Sequence, residues 1–271
     1  MDGELEHRED IANLRYETRQ VGIISAVYLI CLLFVGRFDT YNFLVNRIIS
    51  PLFVIYVVYT YIRRPTQLPT EAFLFTLFIA WTTSGLAVAE NMRVFWKYYK
   101  LTFQVGVLVV AFSYLATRYN IISWVMLAFL VNGILYMGYS MFSGELVRSI
   151  AGTEEHYRLA SLVENANGYS YALLLGAIGL FYFFGLTRNI TTRALYIALL
   201  LLLLVGIVFS ASRKTYITLV AFIIVYTILY LQAKGRNLVL TTIVLSLTGL
   251  VVYYVTSFIL ENSFLGMRFM Q

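Results

Sequence analysis

Long uncharged runs recur along this chain and limit what it can become. The segment VGIISAVYLICLLFVG, from Val21 to Gly36, carries no charge, and runs of the same kind continue as far as Leu260. In a bilayer no water is present to satisfy backbone N–H and C=O groups, so only helices and closed barrels can cross. A helix needs about 20 apolar residues to do so. The runs are apolar on every face, whereas barrel strands alternate and are about 10 residues long. Composition agrees: 60% of residues are hydrophobic and 13% are charged, against about 25% charged in a soluble domain.

The fold expected is therefore all-α, a polytopic transmembrane helical bundle of about nine spans. The spans fall at 21–36, 48–62, 71–89, 101–117, 120–142, 169–187, 194–211, 215–233 and 238–260. Pro51 suits the first turn of the second. Residues 1–20 form a charged cytoplasmic segment, 21–260 the bundle with an outer loop at 143–168, and 261–271 the start of an incomplete outer loop. The first segment is too acidic for the n-region of a secretory signal.

Several chemistries are excluded. Cys31 is the single cysteine, so neither a disulfide framework nor a cysteine metal site can form within the chain. The two histidines lie far apart in sequence, without metal-ligand spacing, and no glycine-rich phosphate loop joins a strand to a helix. No metal and no cofactor are expected. The span interiors lack carboxylates, apart from Glu71 at an edge, which argues against a proton- or cation-coupled pump. The net charge is +6. Its cations flank the spans, which points to membrane lipid headgroups or phosphates and away from nucleic acid.

The 20 Lys and Arg residues divide evenly between the two sides, so the positive-inside rule does not orient the bundle. The short connectors 63–66, 187–193 and 234–236 carry cations and no acids. They read as cytoplasmic turns, which places the N-terminus inside.

Four stretches carry candidate chemistry. In VFSASRKTYITLV, Val208 to Val220, Arg213 and Lys214 interrupt a hydrophobic passage. At a helix end such cations can snorkel at small cost, and the plain reading is a tight turn with interfacial charges. The functional reading is an anion site. Amides at the start of the next helix, the Arg fork, and the Ser210 and Ser212 hydroxyls would converge on phosphate oxygens. The second stretch, 143–168, holds Arg148, His156, Arg158, Glu164, Asn165 and Asn167. Its apolar residues recur at helical spacing, predicting an amphipathic surface or re-entrant helix that ends in an Asn-Ala-Asn-Gly turn. His156 is the candidate base there, although one His beside two Glu is more often a solvated residue. In NMRVFWKYYK, 91–100, Arg93, Lys97 and Lys100 share a helical face among aromatic rings, the composition of an interfacial helix. The fourth is the tail ENSFLGMRFMQ with Arg268.

Three of these features, in order, resemble the O-antigen ligase/polymerase superfamily of bacterial membrane glycosyltransferases. RLASLVENANGYSYALLLGAI looks like the family's arginine and Asn-Pro-Asn loop leading into a small-residue helix. FSASRKTYITLVAF is similar to its Ser-Arg turn between spans, and NSFLGMRF to the arginine segment opening its large periplasmic loop. The resemblance covers the second half of the chain by motif and the first half by layout. It implies a GT-C-like bundle that moves a lipid-linked oligosaccharide from undecaprenyl diphosphate to an acceptor glycan or to lipid A-core, as polymerase or ligase, in the bacterial inner membrane. By carry-over Arg213 matches the turn arginine that holds the diphosphate, Arg268 the loop arginine, and Asn165 and Asn167 the Asn-Pro-Asn positions, with Ala166 in place of proline; Lys214, Ser212 and Arg158 are the further candidates for binding the diphosphate. The family's base is a histidine in or near the end of the large loop. This chain stops at Gln271, so the resemblance implies a chain truncated at that loop. Two other classes stay open: a lipid-linked oligosaccharide transporter, and a non-catalytic membrane partner of a polysaccharide assembly complex.

Overall fold

The structure, a computed structural model, describes residues 2–65, 67, 69–84, 91–151, 166–210 and 212–233, with isolated positions beyond. Among these residues every element is helical. In chain order they are α1 (Asp2–Leu33), a 3-10 turn (Val35–Arg37), α2 (Asp39–Leu44), a π turn (Val45–Ile49), α3 (Ser50–Arg63), α4 (Thr70–Ser84), α5 (Met92–Tyr119), α6 (Ile122–Phe142), α7 (Glu145–Ala151), α8 (Ala166–Leu186), α9 (Ile190–Phe209) and α10 (Arg213–Ala233).

Six helices among the described residues are long and apolar enough to cross a membrane: 15–37, 39–63, 92–119, 122–142, 166–186 and 190–209. Their outward surface is apolar, with Ile55, Ile62, Ile190 and Leu201 all more than half exposed. Large contiguous apolar surface is what a lipid-facing bundle presents and what a soluble monomer avoids. α4 and α10 lie on the expected spans 71–89 and 215–233. At 15 residues, α4 is about 22 Å long, and residues 85–90 lie outside the described set. The expected span 238–260 lies outside it as well, apart from isolated positions.

Helix ends differ from the sequence expectation in three informative places. Pro51 lies in the first turn of α3, as expected, but the helical run it belongs to already begins at Asp39, and Ser50 alone separates Pro51 from the π turn. An interior proline removes one i to i−4 hydrogen bond and its ring crowds the preceding turn. The wider π turn relieves that crowding, and its closing bond runs from the Ser50 amide to the Val45 carbonyl. The Ser50 hydroxyl donates to the same carbonyl at 3.0 Å. The basic aromatic stretch 91–100 is not a separate surface helix but the opening turns of α5. Asn91 caps it, its side-chain oxygen accepting from the Val94 amide at 3.2 Å. The 28 residues of α5 span about 42 Å, more than the ~30 Å hydrocarbon core, and the excess is this charged segment. Finally, Ala166, Asn167 and Gly168 are helical, the first turn of α8, where a turn was expected.

The chain divides into two compact units, Met1–Val125 and Met126–Gln271. Unit 1 is held by aromatic stacking between α1, α3 and α5. The Tyr28 and Phe53 rings stack at 3.9 Å, and Phe53 meets Phe112 at 5.4 Å. Val21, Val57, Leu115 and Ile121 complete that core. At one end Arg64 pairs with Glu17 at 3.0 Å, each side chain 37% exposed; such a pair adds little stability.

Unit 2 is built on close backbone approach. A Cβ on Gly133 of α6 would lie 2.8 Å from the Cα of Gly176 of α8, and the converse distance is the same. A Cβ on Gly179 would meet the Met126 carbonyl oxygen at 2.5 Å, and one on Gly206 of α9 would meet Leu173 at 2.5 Å. Small residues let helices approach closely where no hydrophobic difference between lipid and side chain drives them together. α8 and α10 run parallel: Ser170 meets Thr215 near their starts, and Phe181 meets Phe222 and Tyr226 farther along. Gly176→Ala forces backbone against backbone at the α6–α8 crossing and should cost about 1–3 kcal/mol. A denaturant midpoint in detergent reads this directly, and an unchanged midpoint would refute the crossing.

Candidate functional site

The turn carrying Arg213 and Lys214 is as tight as its sequence suggests. α9 ends at Phe209, and α10 begins at Arg213. Ser212 caps α10: its carbonyl accepts from the Tyr216 amide at 3.0 Å, and its hydroxyl lies 3.4 Å from the Thr215 amide. That is the N-cap arrangement that serine favours. Ser210 closes α9, its amide donating to the Gly206 carbonyl and its hydroxyl to Ile207 O at 2.6 Å.

A layer of short polar side chains then ties this turn to the start of α8. Ser212 Oγ lies 2.9 Å from Asn167 Oδ1 and 3.0 Å from Thr215 Oγ1. Thr215 Oγ1 in turn lies 2.7 Å from Ser170 Oγ, which reaches the Asn167 carbonyl at 3.0 Å. Ser170, Ser212 and Thr215 are fully buried. Each hydroxyl has one proton to give and two lone pairs to receive, so three protons are shared among these four contacts and every hydroxyl in the layer has a partner. A satisfied buried network of this kind specifies geometry, because leaving any member unpaired is costly.

The consequence is that two helix N-termini, those of α8 and α10, lie side by side. First-turn amides have no acceptor within their own helix, and the helix dipole makes such ends electropositive. Arg213 and Lys214 open α10 with exposed side chains, while Ser212 and Thr215 on either side of them are buried. Cations outward and hydroxyls inward is a layout that concentrates positive charge at one point on a mostly apolar bundle. It can attract and hold an anion of several oxygens, such as a phosphate or diphosphate.

The structure thus brings together Asn167, Ser212, Arg213 and Lys214, predicted from two separate motifs. It alters the role of the serines. Ser210 and Ser212 spend their protons inside the protein and position the turn rather than face a ligand. Arg158, Asn165, His156 and Arg268 lie outside the described residues. Of the expected 143–168 surface helix, α7 accounts for Glu145–Ala151. Sequence reasoning missed Ser170 and Thr215. Their signal was present, since each follows a motif residue by three positions, Asn167 to Ser170 and Ser212 to Thr215, and that spacing puts both on one helical face.

A second buried polar contact joins α6 to α8, where Ser140 donates to Tyr169 Oη at 3.0 Å. Tyr169 also lies 3.6 Å from Met137 Sδ. It fixes the α8 start from the other side.

No family model, curated protein or solved structure matches the chain.

Ser212→Ala removes the cap of α10 and leaves Asn167 Oδ1 without this donor. It should lower stability by about 1–2 kcal/mol, whereas the exposed Lys214→Ala should stay within about 0.5 kcal/mol of the parent. Thermal unfolding of both proteins in the same detergent compares them.

Proposed function

We propose that the chain acts on a lipid-linked oligosaccharide carried on undecaprenyl diphosphate, transferring it to an acceptor glycan during bacterial surface polysaccharide assembly, as polymerase or ligase. The setting is the bacterial inner membrane, with the N-terminus cytoplasmic and the Arg213 turn on the outer face. The observation that carries this reading is the Ser212–Asn167 hydrogen bond of 2.9 Å. It supports the reading because it joins the two motifs that resemble the O-antigen ligase/polymerase superfamily, and it does so beside a pair of exposed cations.

The chemistry follows from charge. When the glycan leaves its carrier, the bond between the sugar and the diphosphate oxygen breaks, and negative charge builds on that oxygen. Preorganised cations and helix-start amides stabilise such charge most when they need not reorganise during the reaction. Arg213 supplies a planar fork of donors for paired phosphate oxygens, and Lys214 a compact charge beside it. Ser212, Thr215, Ser170 and Asn167 hold that fork's backbone in place. The acceptor hydroxyl needs a base to remove its proton, and His156 is the candidate named within the chain. Arg158, Asn165 and Arg268 belong to the same proposal as further diphosphate contacts.

In cells that depend on this gene for long-chain glycan, Arg213→Ala should reduce transfer about a hundredfold or more while membrane protein levels hold. Arg213→Lys should restore little, since a point charge does not reproduce the fork. A normal ladder of long-chain glycan on a gel with Arg213→Ala would sink the proposal.

A further inference from the structure

Unit 1 contains a cleft that the proposed transfer chemistry does not use. Its volume is about 610 Å³ and its walls come from α1, the 35–37 turn, α2, α3 and α5. That size falls within the ~300–1,000 Å³ usual for small-molecule sites.

The lining is mixed: Arg37, Asn42, Asn46 and Gln104 are polar, and Pro51, Val54, Ile55, Val105 and Leu108 are apolar. The asparagines are held in place. Asn42 donates to the Gly36 carbonyl at 3.0 Å, and Asn46 donates to Asn42 Oδ1 at 2.8 Å. Each amide nitrogen carries two hydrogens, so after these bonds each keeps one to offer. Tyr28 and Ser50 also line the cleft, and Tyr28 donates to Ser50 at 3.2 Å. Arg37 is exposed and makes no ion pair among the described residues, and none of the residues lining the cleft is a carboxylate.

Two features set this cleft apart from an ordinary gap between helices. Asn46 sits within the π turn Val45–Ile49, and π turns occur disproportionately at functional sites because they re-aim side chains. Gln104 is exposed on α5, about 18 Å along the helix from Met92 and among apolar neighbours. A polar side chain on lipid-facing surface is costly unless a partner receives it.

We infer that this cleft binds a phosphate-bearing membrane lipid, with the phosphate on Arg37 and the Asn42, Asn46 and Gln104 amides, and the acyl chains along Ile55 and Val105. The cation and spare N–H groups, free of competing carboxylate, select an anionic head. The apolar wall selects a lipid over free phosphate, because Ile55 and Val105 are 62% and 53% exposed and continue into the lipid-facing surface.

The test uses the full chain, purified in mild detergent and examined by native mass spectrometry with dioleoyl phosphatidic acid, dioleoylglycerol or inorganic phosphate. Phosphatidic acid should be retained at least about tenfold better than dioleoylglycerol, as expected for charge-assisted hydrogen bonds. Arg37→Ala should remove that preference. Val105→Trp, a change at an exposed position, should block the chains and lower retention with the fold intact. Arg213→Ala should leave retention unchanged, which separates this site from the transfer chemistry of unit 2. Equal retention of the two lipids, or full phosphatidic acid binding by both Arg37→Ala and Val105→Trp, would overturn the inference. So would displacement of the lipid by inorganic phosphate at matching concentration.

Discussion

At the crossing of α6 and α8, Gly133 and Gly176 face one another so closely that neither has room for a Cβ beside the other's Cα. The rest of unit 2 hangs on that approach. It sets the position of α8. Gly206 then lets α9 close against Leu173 of α8, and the short turn at 210–212 delivers α10 parallel to α8. Only with α8 and α10 side by side can Asn167 reach Ser212 and Ser170 reach Thr215. In a bilayer, tight van der Waals contact and hydrogen bonds between helices must supply what hydrophobic burial supplies in water. Unit 2 uses both, glycine contact midway along the helices and hydroxyl networks at their starts.

Unit 1 solves the same problem differently. Its helices meet through stacked rings, Tyr28 on Phe53 on Phe112, which leave larger gaps than glycine contacts do. The cleft beside Tyr28 is one such gap, and the π turn before Pro51 shapes its wall. A proline within a spanning helix breaks the regular ladder, and here the broken ladder and the polar lining coincide. Strain relief and ligand recognition can share one irregular turn, since both need backbone and side chains aimed away from the regular helical pattern.

Much of the bundle was legible in advance because lipid imposes a simple code: a long apolar run must be a helix. The positions of α6, α8, α9 and α10 follow from that code. Helix starts were less legible. α5 takes in the whole charged stretch from Met92, because Asn91 caps it there and a helix already nucleated extends through polar residues at little cost. The second span begins near Asp39 because Pro51 is compatible with a helix once a wider turn precedes it. The Asn-Ala-Asn-Gly stretch looked like a turn from composition. Its last three residues are helical instead, with the Asn167 side chain engaged by Ser212.

The sequence alone determined that the described chain is all helical, that several of its helices can cross a membrane, and that Arg213 and Lys214 sit at a helix end. Those outcomes follow from local hydrophobicity and from the cost of unpaired backbone in lipid, both of which are properties of consecutive residues. Only the tertiary structure decided that Asn167 meets Ser212, that Ser170 and Thr215 close the polar layer, and that Arg37, Asn46 and Gln104 line one cleft. These pairings join residues far apart in the chain. They depend on which helix faces permit close approach, and a uniformly apolar run carries almost no periodic signal of which face that will be.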